Sequence, residues 1–269
     1  MPYGFFSSLK NLLKHGPGAL QNLAATAAGI ARGRTWDFPP DTMGAAAAPE
    51  SGAANPLRKF FDARQTGRGI WKWIHYFDIY HRHFQKFVGQ EVHLVEVGIF
   101  SGGSLDMWKD YFGPKCHVYG VDIEPACKAY EDARTHVFIG DQGNRDFWRE
   151  FKKQVPRVDI LVDDGGHKAH QQIATLEEIL PHLRPGGVYL CEDVVGLHNR
   201  FAAYVAGLAD NLNDMSHKNG EILAVDANGM QRMIHSIHTY PFVTVIEKHL
   251  APVAELSAPR HGTEWQPFL

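Results

Sequence analysis

From residue 92 onward, short apolar runs alternate with amphipathic stretches, and each run closes on glycine or a carboxylate. Val92–Val97 ends at Gly98, His117–Val121 at Asp122, Val137–Ile139 at Gly140-Asp141, and Val158–Val162 at Asp163-Asp164. Leu105–Tyr111 reads as a helix, as does His170–Leu183, which Arg184-Pro185-Gly186-Gly187 would stop before a fifth run at Val188–Cys191. Strands that alternate with helices imply an α/β domain, a parallel sheet with helices on both faces. The last stretch breaks the rhythm. Gln231–His238 and Phe242–Glu247 are separated only by Thr239-Tyr240-Pro241, which predicts an antiparallel hairpin at one end of the sheet.

This domain is expected to span residues 56–250, beginning near Asn55-Pro56. Residues 57–64 and 71–87 carry aromatics at spacings of three and four (Trp71, Ile74, Phe77; Trp73, Phe77, Tyr80, Phe84), which reads as two helices. Residues 1–55 form an extension with Lys10, Lys14, Arg32 and Arg34 and no acid before Asp37. Phe5, Phe6, Leu9, Leu12 and Leu13 fall at helical spacing over 5–14. A basic segment of this kind suits a presequence or a membrane-surface anchor. Its Ala, Gly and Pro content favours a flexible extension or an arm docked on a neighbouring subunit, and a homo-oligomer is expected. The tail, residues 251–269, has no clear period and reads as a surface segment.

A net charge of -3 gives no reason to expect nucleic acid as a partner. No window approaches the ~20 apolar residues of a spanning helix. The three cysteines show no metal-type spacing and read as reduced thiols, hence a cytoplasmic protein. His235 and His238 would point to opposite faces of a strand, so no joint metal site is expected from them.

The first site candidate is the loop Glu96-Val97-Gly98-Ile99-Phe100-Ser101-Gly102-Gly103-Ser104, between a strand and a helix. Glycines let backbone approach a ligand, and amides at the helix start would face it. Asp122 follows about 20 residues later, where a carboxylate can accept ribose hydroxyls. Asp141 and Gln142 stand past the third strand, where polar side chains can reach an adenine edge. The spacing is not the G-x-G-x-x-G of dinucleotide folds, and Glu96 would repel a phosphate. It suits a cationic ligand, so these residues favour S-adenosylmethionine over NAD.

The second candidate is Asp163-Asp164-Gly165-Gly166-His167 together with Glu192-Asp193. Both groups end adjacent strands, and ligands of open α/β sheets bind along that edge. Asp164, Glu192 and Asp193 would repel one another unless a cation lay between them, and hard oxygen donors select Mg²⁺ or a similar ion. His167, three residues past Asp164, is placed to take a proton from a hydroxyl. Asp163 is expected to support the loop or the cofactor side.

With these residues on the page, the chain resembles a known family. Gly69–Asp146, with Trp71-Lys72-Trp73, His75-Tyr76-Phe77, Met107-Trp108, Tyr111-Phe112-Gly113 and Gly120-Val121-Asp122-Ile123, looks like the bacterial class I methyltransferases. Asp163–His167 and Glu192-Asp193 look like the metal-dependent sugar O-methyltransferases of macrolide biosynthesis. The resemblance covers roughly residues 56–248. It implies a Rossmann-like fold with a mostly parallel seven-stranded sheet and an antiparallel hairpin. It also implies Mg²⁺ on Asp164, Glu192 and Asp193, His167 as general base, and a small hydroxyl-bearing substrate on a sugar or glycosylated natural product. The family commonly has Ser where Gly166 stands. Two alternatives stay open: a methyltransferase of catechol-like phenols, with Trp71, Tyr76 and Trp108 near the substrate, and a non-catalytic S-adenosylmethionine-binding protein.

Overall fold

The structure, a computed structural model, describes residues 16–35, 55–215 and 224–262. The chain divides into two compact units, Met1–Gly52 and Ala53–Leu269. In the first, Gly16–Thr35 forms helix α1, whose residues 22–35 are exposed apart from half-buried Ile30. The helix expected over 5–14 lies outside the described residues. No described helix is long and apolar enough to cross a membrane.

The second unit opens with α2 (Pro56–Ala63) and α3 (Tyr76–Phe84). Asn55 caps α2: its Oδ1 accepts the amides of Leu57 and Arg58, while its Nδ2 donates to the Phe77 carbonyl of α3, 2.8 Å away. Pro56 at the first helical position needs no amide partner. The aromatic spacing over 71–87 predicts one helix, but only Tyr76–Phe84 is helical, followed by a 3₁₀ turn at Gln85–Phe87. Residues 71–75 lie outside any helix and leave Trp71 almost wholly exposed. Their period is a coincidence of large residues on both sides of a covering segment.

Five parallel strands follow: β1 (Val92–Val97), β2 (Cys116–Asp122), β3 (Thr135–Ile139), β4 (Val158–Asp163) and β5 (Leu183–Cys191). Between them run α4 (Gly103–Phe112), α5 (Arg145–Gln154) and α6 (Ala169–Ile179). α6 ends at Ile179, earlier than its apolar run suggests, because Leu183–Gly187 already belongs to β5. Pro185 is tolerated there since the next strand pairs with β5 only from Val188 onward.

After α7 (Arg200–Asp210) come β6 (Ala224–Asp226), α8 (Gly229–Met233), β7 (Ile234–Tyr240), β8 (Val243–Lys248) and β9 (Glu255–Ser257). The expected hairpin is β7–β8. Its first residues, Gln231–Met233, are helical, capped by Asn228. The described part of the tail is a largely exposed surface segment, within which β9 pairs antiparallel with β6 in a small separate sheet.

The large sheet has the order β3-β2-β1-β4-β5-β8-β7, with β1 to β5 parallel and β8 antiparallel to both neighbours. Successive side chains point to opposite faces. Leu94, Val118, Ile160 and Leu190 face a core with Leu57, Phe77, Tyr80, Phe84, Trp108 and Phe112. Val95, Val121, Leu161 and Tyr189 face Trp148, Phe151, Leu176 and Phe201. Both faces are covered, so all the parallel strands present their carboxyl ends along one edge.

Replacing Asn55 by Ala should remove the α2 cap and its tie to α3. The expected cost is about 1–2 kcal/mol, read as a fall of a few degrees in the thermal unfolding midpoint.

Candidate active site

A cavity of about 940 Å³ lies along that carboxyl edge. Its wall takes Val97–Ser101 and Ser104 after β1, Asp122 at the end of β2, and Gly140–Gln142 after β3. Asp164–His167 after β4 and Glu192-Asp193 after β5 complete it, under Gly69–Ile74 and Tyr76. The two candidate groups read from the sequence thus share one space.

In the glycine loop, Gly98 adopts φ 80°, and a Cβ there would fall on the Asp164 carbonyl oxygen. A Cβ on Gly103 would fall on the carbonyls of Arg68 and Gly69, and one on Gly102 would press on the Tyr130 ring. Of these three only Gly98 lines the cavity, while Gly102 and Gly103 admit neighbouring chain instead. Ser101 and Ser104 line the cavity. Asp122 Oδ2 accepts the amides of Ile99 (3.0 Å) and Phe100 (3.2 Å), and Oδ1 accepts that of Glu124. Those loop amides face Asp122, not open space, and the carboxylate stays at the cavity wall.

Asp141 lines the cavity too. Gln142 also borders it but works inward: its Nε2 donates to Asp163 Oδ1 (2.8 Å) and its Oε1 accepts the Gly166 amide (2.6 Å). Asp163 is buried, accepts from Tyr189 Oη as well, and does not reach the cavity wall. Burial pushes its carboxyl up to about 6 against those hydrogen bonds. Gln142 and Asp163 therefore hold the loop that carries Asp164 and His167.

Glu96 is fully buried behind the wall, where Ser104 Oγ donates to it (2.8 Å). The residue facing it is Lys72. The Lys72 ammonium lies 2.5 Å from Asp164 Oδ2, 2.9 Å from Glu192 Oε2 and 3.8 Å from Glu96 Oε1. Burial opposes its charge, but Glu192, Asp164 and Glu96 together hold it well above the usual lysine range. Glu192 also accepts from Tyr80 Oη (2.6 Å). Burial, then the neighbouring Asp164, raise Glu192, and Lys72 and Tyr80 partly offset them. Burial likewise leads in raising Glu96 to about 7, against Lys72 and Ser104.

The acid trio is thus brought together but divided. Glu192 is held by Lys72 and Tyr80, and Asp164 shares Lys72 with it. Asp164, His167 and Asp193 each offer a ligand atom within 4.8 Å of the others. Asp193 Oδ1 accepts from Tyr76 Oη (2.7 Å) and Trp73 Nε1 (3.2 Å), and its Oδ2 stands 3.7 Å from His167 Nε2. The two carboxylates suit a hard divalent cation with water or substrate oxygens as further ligands, and the His167 imidazole stands beside them. His167 (φ 53°) and Asp193 (φ 52°) both hold left-handed backbone, strain of the kind that persists where packing enforces it. Lys72, Tyr80 and Tyr76 are contributors that spacing alone did not mark. Lys72 stood in the quoted Trp71-Lys72-Trp73 segment, and a lysine between two tryptophans beneath the loop was the available signal. Of the aromatics weighed for a phenol pocket, Trp71 and Tyr76 line the cavity and Trp108 is core.

A methyltransferase-domain family model matches residues 95–194. The chain is 36% identical over 132 residues to the demethylmacrocin O-methyltransferase of Streptomyces fradiae, covering 46% of this chain and 33% of that one. It is 30% identical over 196 residues to the 8-demethyl-8-alpha-L-rhamnosyl tetracenomycin-C 2'-O-methyltransferase of Streptomyces olivaceus, covering 66% and 51%. The chain therefore spans between a third and about half the length of these curated relatives. Among solved structures it superposes on the mycinamycin-pathway methyltransferase MycE, solved with Mg and SAH, with a TM-score of 0.59 at 23% identity. That match covers 90% of this chain and 61% of MycE.

Replacing Lys72 by Met would leave Glu96, Asp164 and Glu192 without their buried counter-charge. Breaking such a cluster costs about 3–5 kcal/mol, which denaturant titration should show as a lowered unfolding midpoint. Residues 95–194 are thus similar in sequence to a methyltransferase-domain family, and the fold around them is the one seen in MycE.

Proposed function

We propose that this chain transfers the methyl group of S-adenosylmethionine to a hydroxyl on a sugar or glycosylated natural product, assisted by Mg²⁺ or a similar ion. The observation that carries the reading is the single cavity. It joins the loop and acids of a nucleoside site (Gly98, Asp122, Asp141) to the Asp164, His167 and Asp193 cluster. Support comes from relatives whose names specify O-methylation of demethylmacrocin, mycinamicin VI and a rhamnosyl tetracenomycin compound. A MycE structure holds Mg, SAH and mycinamycin VI.

When bound, the sulfonium supplies an activated methyl group, and the divalent ion supplies Lewis acidity that eases loss of a hydroxyl proton. The chain's own residues position and deprotonate. Asp122 receives the ribose hydroxyls, and Asp141 stands on the adenine side. Asp164 and Asp193 would hold the cation, with Glu192 fixed nearby by Lys72 and Tyr80. His167 Nε2 takes the proton of the acceptor hydroxyl, and Asp193 Oδ2 stabilises the resulting imidazolium. The oxygen then bonds to the methyl carbon as the carbon–sulfur bond breaks, leaving S-adenosylhomocysteine. The reading places the chain in the cytoplasm with its diffusible cofactor.

Calorimetry with S-adenosylmethionine should show binding, and labelled-methyl assays should show Mg²⁺-dependent transfer to glycosides. Absence of binding with and without Mg²⁺, or transfer to catechols alone, would overturn the reading. His167→Ala should lower kcat by about 10²-fold or more while leaving S-adenosylmethionine affinity near the wild-type value.

A further inference from the structure

Away from the cavity, the end of α3 meets the β7–β8 hairpin through a second group of metal-type side chains. His83 is buried, with Nδ1 2.9 Å from Glu247 Oε1 and Nε2 2.9 Å from Tyr240 Oη. The His238 ring centroid lies 4.8 Å from that of His83. His83, His238 and Glu247 each offer one ligand atom within 4.8 Å of the others, and none lines the active-site cavity.

The protonation pattern follows from the partners. The His83 hydrogen bond, reinforced by Lys86 against the effect of burial, holds the Glu247 carboxyl down at about 2, so it is ionised at neutral pH. An ionised carboxylate only accepts, so His83 Nδ1 donates to Glu247, while its Nε2 stands within hydrogen-bonding distance of Tyr240 Oη. Burial, then the adjacent His83, push His238 below the usual histidine range, leaving a neutral ring. Its Nε2 lies 2.9 Å from Ser236 Oγ.

We propose that His83, His238 and Glu247 form a binding site for Zn²⁺ or a similar transition ion, tying α3 to the hairpin. Two imidazoles and a carboxylate are a common zinc donor set with an open position, whereas Mg²⁺ prefers oxygen. The ion takes the place of the proton between His83 Nδ1 and Glu247. His83 then turns Nε2–H toward Tyr240 Oη, the outer hydrogen bond that orients a metal-bound imidazole. Lys86, 3.3 Å from Glu247 Oε1 and 42% exposed, swings into solvent. His235 takes no part: its ring meets that of His249 edge to face instead.

The test is calorimetric titration of the chelator-stripped chain with Zn²⁺, paired with Co²⁺ absorption spectra as a readout of imidazole ligation. The wild type should bind Zn²⁺ and gain several degrees in thermal midpoint. His238→Ala and Glu247→Gln should each lose at least about tenfold in affinity and the midpoint gain, while their metal-free midpoints report folding. His167→Ala should retain this binding, which separates it from any ion held at Asp164 and Asp193. Wild-type Zn²⁺ affinity in both His238→Ala and Glu247→Gln, loss only in His167→Ala, or no Zn²⁺ binding by the wild type would overturn the proposal.

Discussion

Lys72 places one buried positive charge among Glu96, Asp164 and Glu192, and the carboxyl edge of the sheet is organised around it. Parallel strands make this necessary. β1, β4 and β5 are neighbours running the same way, so acids at or just past their ends arrive side by side at one depth. Like charges so close in a poorly solvated place repel strongly. An ammonium within hydrogen-bonding distance of two of them offsets that repulsion. It must come from outside the sheet, because the sheet supplies only acids there.

That requirement explains the segment above the cavity. Residues 71–75 stay out of a helix, with Lys72 turned inward to the carboxylates and Trp71 turned out to solvent. The helix begins only at Tyr76, in time for Tyr76 and Tyr80 to donate to Asp193 and Glu192. One short stretch thus supplies a cation and two hydroxyl donors to acids as far as 120 residues away in sequence.

The distribution of what could be read beforehand follows from range. β1 to β5 were legible to within a few residues because each is a buried apolar run closed by glycine or an acid, a local pattern. The acids of the site were legible for the same reason, as strand-end residues on a shared edge. Their division of labour was not, because it is set by Lys72, Tyr80 and Gln142 across the fold. Gly102, Gly103 and Glu96 show the limit clearly: spacing marks them as ligand contacts, yet they accommodate the chain at Arg68-Gly69, the Tyr130 ring and the Lys72 ammonium. The periodic aromatics over 71–75 misled because a short window does not separate a buried helix face from a covering loop whose Trp71, Trp73 and Ile74 stay exposed.

Charge then connects the site to the ligands proposed for it. Glu96, Asp164 and Glu192 surround the Lys72 ammonium and Asp193 stands next to His167, so with all four carboxylates ionised the negative charges exceed that ammonium by three. Burial resists that excess by favouring protonation, as the raised Glu96 and Glu192 show. A divalent ion and a sulfonium cofactor together carry three positive charges at their reacting centres, which is what such an edge would attract. A phosphate-bearing dinucleotide would add to the repulsion instead. The strained backbone at His167 and Asp193 fits the same picture: the Gln142 contact with the Gly166 amide fixes the loop before His167, Tyr76 holds Asp193, and the fold bears that cost at the place where a cation would repay it.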